Sequence, residues 1–364
     1  MIWLVRICFL LVGTSIGLLI LEAGIRLHDP FGFRNRGDTI VLPRFKKTDF
    51  ITGIPGVPEI ANVRYNSLGF RGPEPPKELQ DRLSVITVGG STTECMFLSE
   101  GMDWPAVMAK HLRHSFPNVW VNNAGIDGHS TRGHIALVDQ AIRPLRPDVV
   151  IFYTGINEIP GDLLTAFERH NIFDGIRFEV GRDGIMSLLQ YSHVLNATYS
   201  LVNMYYFRSL TASHEVVNVT ELRVEDVSEA EKERHLATAD ALASGYTERL
   251  TTLVEMVRSW GGQVVLATQP MLLGPGIDPV TGIDLSKVSL DGLDGLTRWQ
   301  RLERVNDVTR RTAMALGAPL LDIAAKSARS STYFYDLVHY TGAGAAAIGE
   351  LFAQELTPVL KRGS

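Results

Sequence analysis

Val85-Ile86-Thr87-Val88-Gly89-Gly90-Ser91-Thr92-Thr93 is the stretch on which the reading of the whole chain turns. A short β-branched apolar run ends in two glycines and a hydroxyl, and the apolar-periodic segment Trp104 to Phe116 beyond it reads as a helix. Strand, Gly-Gly-Ser, then helix puts Ser91 at the carboxyl end of a strand, where open α/β sheets place their sites. The glycines allow a sharp turn and a close approach of substrate to backbone. Alone, the stretch is equally a strand-to-helix loop with a capping serine.

Outward from it, strand and helix signals alternate from Arg82 on. Strands are expected at Ser84–Val88, Val119–Asn122, Asp148–Tyr153, Gln263–Thr268 and Pro319–Asp322. Helical patterns lie at Trp104–Phe116, Thr131–Ile142, Glu229–Ser259, Thr297–Leu316 and Gly342–Leu360. Ser228 with Glu231 makes a capping box for the third of these, and Gly261-Gly262 stop it. Near-continuous apolar strands alternating with helices imply a parallel sheet covered on both faces, hence a three-layer α/β domain. Ile159 to Val227 is far longer than an ordinary connection. Its centre, Met186 to Phe207, is rich in Leu, Met and Tyr. It reads as a helical insertion on the core, compatible with a lid, or as a second membrane-surface contact. A weaker insertion, rich in Gly, Asp and Pro, runs from Met271 to Leu296.

Ahead of the domain, Ile7 to Leu21 is an uncharged run of 15 residues. Fifteen helical residues cover only about 22 Å of a hydrocarbon core about 30 Å thick. If Arg6 snorkels to the cytoplasmic face, Trp3 to Leu21 becomes long enough to span. A cleaved signal peptide is the rival, but near Ala23 the positions that need small residues hold Leu21 or Glu22. The expected organisation is an anchor or signal segment over 1–25, a Pro/Gly-rich membrane-proximal lead over 26–80, and the α/β domain over 81–364. The lead reads as extended over the domain surface, with an ordered turn at Tyr65 to Gly72. An uncleaved anchor leaves the domain exported.

The 364 residues, 45% hydrophobic and 21% charged, suffice for a large folded core. A net charge of −5, with no cluster of Lys and Arg interleaved with aromatics, gives no footprint for nucleic acid. Cys8 and Cys95 do not read as a structural disulfide, and no CxxC or HExxH pattern argues for a metal. No cofactor is expected. Val88-Gly89-Gly90-Ser91 lacks the GxGxxG spacing of a dinucleotide site.

Three further stretches fall at strand ends or in the matching last loop: Asn122 to Ser130, Gly155-Ile156-Asn157-Glu158, and Asp336 to Gly342. A nucleophilic hydroxyl needs a base, the base an orienting carboxylate, and the developing oxyanion positioned donors. These loops hold all of them.

The four stretches, in this order, resemble the GDSL-like or SGNH hydrolase superfamily, whose eponymous residues would here be Ser91, Gly128, Asn157 and His339. The resemblance runs from about Arg82 to the C-terminus and is nearest to membrane-anchored bacterial proteins with a Gly-Gly-Ser-Thr-Thr first block. It implies a three-layer α/β/α sandwich with a five-stranded parallel sheet, flavodoxin-like. It also implies Ser91 as nucleophile, His339 as general base then acid, and Asp336 as the group orienting the imidazole. The oxyanion hole would be the Ser91 and Gly128 N–H groups with the Asn157 side chain, family spacing favouring Gly128 over Gly125. His129 is a candidate substrate contact; Asp322 reads as a structural cap and Arg132 as a solvated residue. Gly90 stands where the superfamily's name carries Asp, and Glu158 where many members have Asp.

The activity implied is a serine esterase acting on oxygen esters, short acyl or acetyl groups on carbohydrate or lipid. Two alternatives are an O-acyltransferase acting on a cell-envelope glycan with the same triad, and a catalytically silent membrane-tethered binding protein.

Overall fold

The computed structural model describes residues 2–28, 31, 33–37, 39–159, 188–207, 214–225, 227–241 and 243–363. By its contacts the chain forms two units, Met1–Pro43 with Arg169–Ser209, and Arg44–Glu168 with Leu210–Ser364.

The first unit holds α1, Ile2–His28, none of whose residues is buried. Its most apolar window has a mean hydropathy of 2.4, which makes it a candidate membrane span or signal sequence. A second helix of this unit spans His193–Phe207. The expected insertion over 159–227 falls in part on 160–187 and 208–213, outside the described residues.

In the second unit the Pro/Gly-rich lead is not simply extended. Lys47–Ile51 (β1) and Ile60–Arg64 (β2) pair antiparallel as a hairpin. The expected turn after it is ordered by Asn66, whose N–H bonds Phe70 O and whose Oδ1 accepts from Leu68 N and Phe70 N. Arg71 then exchanges backbone hydrogen bonds with Asn123 at 2.9 Å. The reason is the Asn66 side chain, which turns the chain inward and replaces solvent as the partner of three backbone groups, Leu68 N, Phe70 N and Pro73 O.

The parallel sheet follows the expected order of elements. Its strands are Ser84–Gly89 (β3), Trp120–Asn123 (β4), Val149–Tyr153 (β5), Gln263–Ala267 (β6) and Leu320–Leu321 (β7), in the spatial order β7-β6-β5-β3-β4. Gly89 is level with Tyr153, and Tyr153 with Ala267, so the carboxyl ends of the three inner strands line up. The β-branched and aromatic residues of β3 and β5 are at most 2% exposed, as expected for strands covered on both faces. Each such side chain contributes about 1.5–3 kcal/mol on burial.

The helices are Ser91–Glu94 (α2), Trp104–Leu112 (α3), Thr131–Leu137 (α4), Glu229–Ala241 (α5), Ala243–Arg258 (α6), Gly295–Leu316 (α7) and Gly342–Gly363 (α8). The expected helix Thr131–Ile142 changes to a π turn at Val138. The long helix expected over Glu229–Ser259 is described as α5 and α6 on either side of position 242. Trp104 of α3 stacks on Phe352 of α8 at 4.1 Å and meets Tyr153 of β5 edge-on at 5.4 Å. That aromatic contact locks two helices to the strand that leads to Asn157.

Candidate active site

Ser91 opens α2 directly beyond β3. The turn is tight because both preceding glycines are in contact. A Cβ on Gly89 would sit 2.1 Å from Thr93 Oγ1, and one on Gly90 2.2 Å from Asn157 Nδ2. The superfamily's Asp therefore has no room at position 90 while Asn157 lies over it. The helix ends after one turn at Cys95, which adopts the left-handed conformation with φ 49°. Burial pushes the Cys95 thiol up to about 12, so this sulfur stays protonated and is not a rival nucleophile.

The last loop returns the base. Asp336 Oδ1 accepts from the N–H groups of Val338 and His339 at 2.8 and 2.7 Å. With one oxygen so held, Oδ2 takes His339 Nδ1 at 2.6 Å, and His339 Nε2 lies 2.7 Å from Ser91 Oγ. Burial disfavours the charged imidazole, but the Asp336 carboxylate beside it outweighs burial and raises its pKa above the ordinary value. Burial likewise works against the Asp336 carboxylate, and the His339 charge and hydrogen bonds still leave it below the ordinary value.

Asn157 sits on the turn after β5. Its Nδ2 donates to His129 O at 2.9 Å, so the amide is fixed while its second N–H is left for another acceptor. Gln269 steadies both sides of this arrangement. Its Oε1 accepts from Ile156 N at 2.6 Å, and its Nε2 donates to Thr92 Oγ1 at 2.8 Å. Gly128 adopts φ 70°, a conformation that favours glycine. Gly125 has a packing reason instead, since a Cβ there would meet Glu94 N at 2.3 Å.

Not every expected residue reaches the site. The His129 ring is buried against Gly133 and His134 and does not line the cleft at Ser91; its backbone carbonyl is what touches the site. Asp322, read from the sequence as structural, is tied to Thr268 and Arg310, and Arg132, read as solvated, is exposed. Glu158 accepts from Thr131 N and Oγ1 and from Arg249, pinning the start of α4.

Three residues enter this part of the site that the sequence did not flag, His214, Tyr335 and Arg71. His214 stacks over His339 with ring centroids 4.1 Å apart, its Nδ1 2.7 Å from Tyr335 Oη. Tyr335 lies nearly parallel to His339 at 5.7 Å and 13° and 6.2 Å from His214, so the three rings form one cluster around the imidazole. Arg71, 1% exposed, donates to the carbonyls of Glu94, Cys95 and Leu98 at 2.6–2.8 Å and faces Asp103 at 3.5 Å. The lead thus holds the end of the serine's own helix. The Arg71→Ala change removes the guanidinium from three carbonyls and from the buried Asp103, and is expected to cost about 3–5 kcal/mol in urea unfolding. Conservative Lys, reaching fewer of these acceptors, should recover only part of it. No local signal marks His214; for Arg71 the ordered turn around it was the one hint.

Among the described residues one group, His214, Asp336 and His339, has donor atoms within 4.8 Å of one another. An ion held there would compete with Ser91 for His339.

The sequence from 86 to 347, most of the chain, matches the model of the GDSL-like lipase/acylhydrolase family. The chain belongs to that family. It is accordingly a hydrolase of ester bonds, and the α/β/α sandwich with a five-stranded parallel sheet is the family fold. No curated protein matches this family member in sequence. Solved structures similar to it include an acetylxylan esterase from Geobacillus stearothermophilus, at 15% identity and TM-score 0.43 over 75% of this chain and 93% of that one. A lipolytic protein of the G-D-S-L family from Desulfitobacterium hafniense DCB-2 is another, at 12% identity and TM-score 0.40 over 76% of this chain and 100% of that one.

Proposed function

We propose that this GDSL-like hydrolase is a serine esterase for short acyl esters, held at a membrane by α1 with its catalytic unit exported. The observation that carries the reading is the unbroken line Asp336–His339–Ser91, with contacts of 2.6 and 2.7 Å. His339 takes the Ser91 proton as Oγ attacks the acyl carbon, and the carbonyl π electrons move onto oxygen. The resulting oxyanion is received by the N–H groups of Ser91 and Gly128 and by the Asn157 amide. As the carbonyl re-forms, the ester C–O bond breaks and the imidazolium protonates the departing alcohol. Water, deprotonated by His339, then releases the acid from the acyl-enzyme.

The side chains around Ser91 argue for a short acyl group. The cleft there is walled closely by Met96, Phe97, Leu98, Tyr335 and Tyr340. Acetyl or a similarly small group on a carbohydrate or lipid alcohol is the proposed substrate. The apolar surface of α1, none of whose residues is buried, supports the anchor, because water is a poor solvent for it.

A fluorophosphonate should label Ser91 of the folded protein; failure to do so would mean that the reading is wrong. Rates across p-nitrophenyl esters should fall from acetyl to palmitoyl. A burst followed by acyl partition to added glycan, with no competition from water, would replace the esterase with an acyltransferase. Asn157→Ala is expected to lower kcat by about 10²–10³-fold with little change in KM.

A further inference from the structure

Residues 188–191 and the helix His193–Phe207, separated by a break at Ser192, turn apolar side chains outward. Leu188 and Tyr191 before the break and Leu195, Leu201 and Val202 beyond it are 57, 73, 48, 43 and 40% exposed. Leu189, Ala197 and Tyr199 are buried, so the segment carries apolar side chains on its covered side and on its open side alike.

Its neighbour in the same unit is α1. Glu22, near the carboxyl end of α1, accepts from the backbone N–H groups of His193 and Val194 and from Ser192 Oγ, each at 2.9 Å. Arg26 bonds both Glu22 and Tyr191 O, at 2.7 and 2.6 Å. The carboxylate in the apolar helix is therefore also the amino-terminal cap of the second one, its charge answered by backbone dipoles and a guanidinium. An acidic group so satisfied is tolerated at a membrane boundary, where an isolated one is expensive.

We propose that the face formed by Leu188, Tyr191, Leu195 and Val202 lies in the lipid interface beside α1, its occupant the bilayer surface. The inference rests on α1 being a membrane span. The apolar surface of α1 next to the cap, Leu18 to Leu21, is 50–70% exposed, so the two exposed apolar surfaces meet at Glu22. The 15 residues of His193–Phe207 rise only about 22 Å, too short to cross and suited to lying in the interfacial plane. The family hydrolase would then have two membrane attachments, one spanning and one lying flat.

The test uses the full chain with Cys8→Ser, the remaining Cys95 being buried. Single cysteines replacing Leu188, Leu195 or Val202 are labelled with an environment-sensitive nitrobenzoxadiazole dye and reconstituted in phosphatidylethanolamine/phosphatidylglycerol vesicles. Hydrolysis of p-nitrophenyl acetate verifies folding. Blue-shifted emission that doxyl lipids quench and iodide does not is the expected result. Labels at these positions that iodide quenches and doxyl lipids leave untouched, like a label at the 81% exposed Glu229, would overturn the proposal. Leu19→Cys separates the two readings. Lipid quenching there with none at Leu195 rejects the interfacial helix alone, whereas none at Leu19 rejects the span and the inference with it.

Discussion

Ser91→Ala lowers ester turnover on the order of 10⁶-fold, and His339→Ala does the same. The double variant is no worse than either alone, because the two residues act as one unit. Without His339, the Ser91 hydroxyl has no acceptor for its proton; without Ser91, the 2.7 Å contact to His339 Nε2 has nothing to activate. Binding and the proposed oxyanion donors survive, so a residual rate above the uncatalysed one remains. Stopped-flow assays with p-nitrophenyl acetate, set against unfolding midpoints, check this. Additive losses in the double variant would mean that serine and histidine work separately.

Asp336→Asn is expected to lower kcat about 10⁴-fold, since an amide stabilises the wrong imidazole tautomer. Its pH profile carries a second signature. In the native chain the carboxylate raises the His339 pKa above its ordinary 6.5, and only neutral His339 accepts the serine proton. The kcat/KM limb therefore rises with pH through a midpoint above 6.5. Removing the carboxylate removes the largest influence that raises the pKa, so the limb moves to lower pH. Stability moves with the same charges. The lowered Asp336 contributes above its unfolded value of 3.8 and loses that contribution as pH falls through its folded pKa. His339, with a raised pKa, contributes below 6.5 and loses that as pH rises through its folded pKa. The pair therefore stabilises most between those two values, and the gap in urea midpoint between the native chain and Asp336→Asn should narrow as pH falls through the folded pKa of Asp336 or rises through that of His339.

Much of the fold was legible because strands and crossover helices are local. Val85 to Val88 and Val149 to Tyr153 are apolar runs too short for helices and bounded by Gly or Pro, and they became the sheet's centre. The ordered turn at Tyr65 to Gly72 is legible in the lead, but the hairpin of Lys47–Ile51 and Ile60–Arg64 is not, because prolines and glycines report chain breaks and not which segments pair. Glu158 drew notice only as a departure from the family, although it pins the start of α4.

Sequence alone was enough for the candidate triad, because Asp336 and His339 lie three residues apart on one turn and Ser91 is marked by its glycines. That spacing lets the same carboxylate hold the backbone of the turn and the ring. Only the tertiary structure set Arg71 under the helix of Ser91, Gln269 between Thr92 and Ile156, and His214 over His339. It also laid the outward apolar face of the 193–207 helix beside Glu22. These contacts join residues from 23 to 177 positions apart, and no local periodicity carries them. They arise when buried polar groups, denied water, must find partners wherever the packed chain brings them.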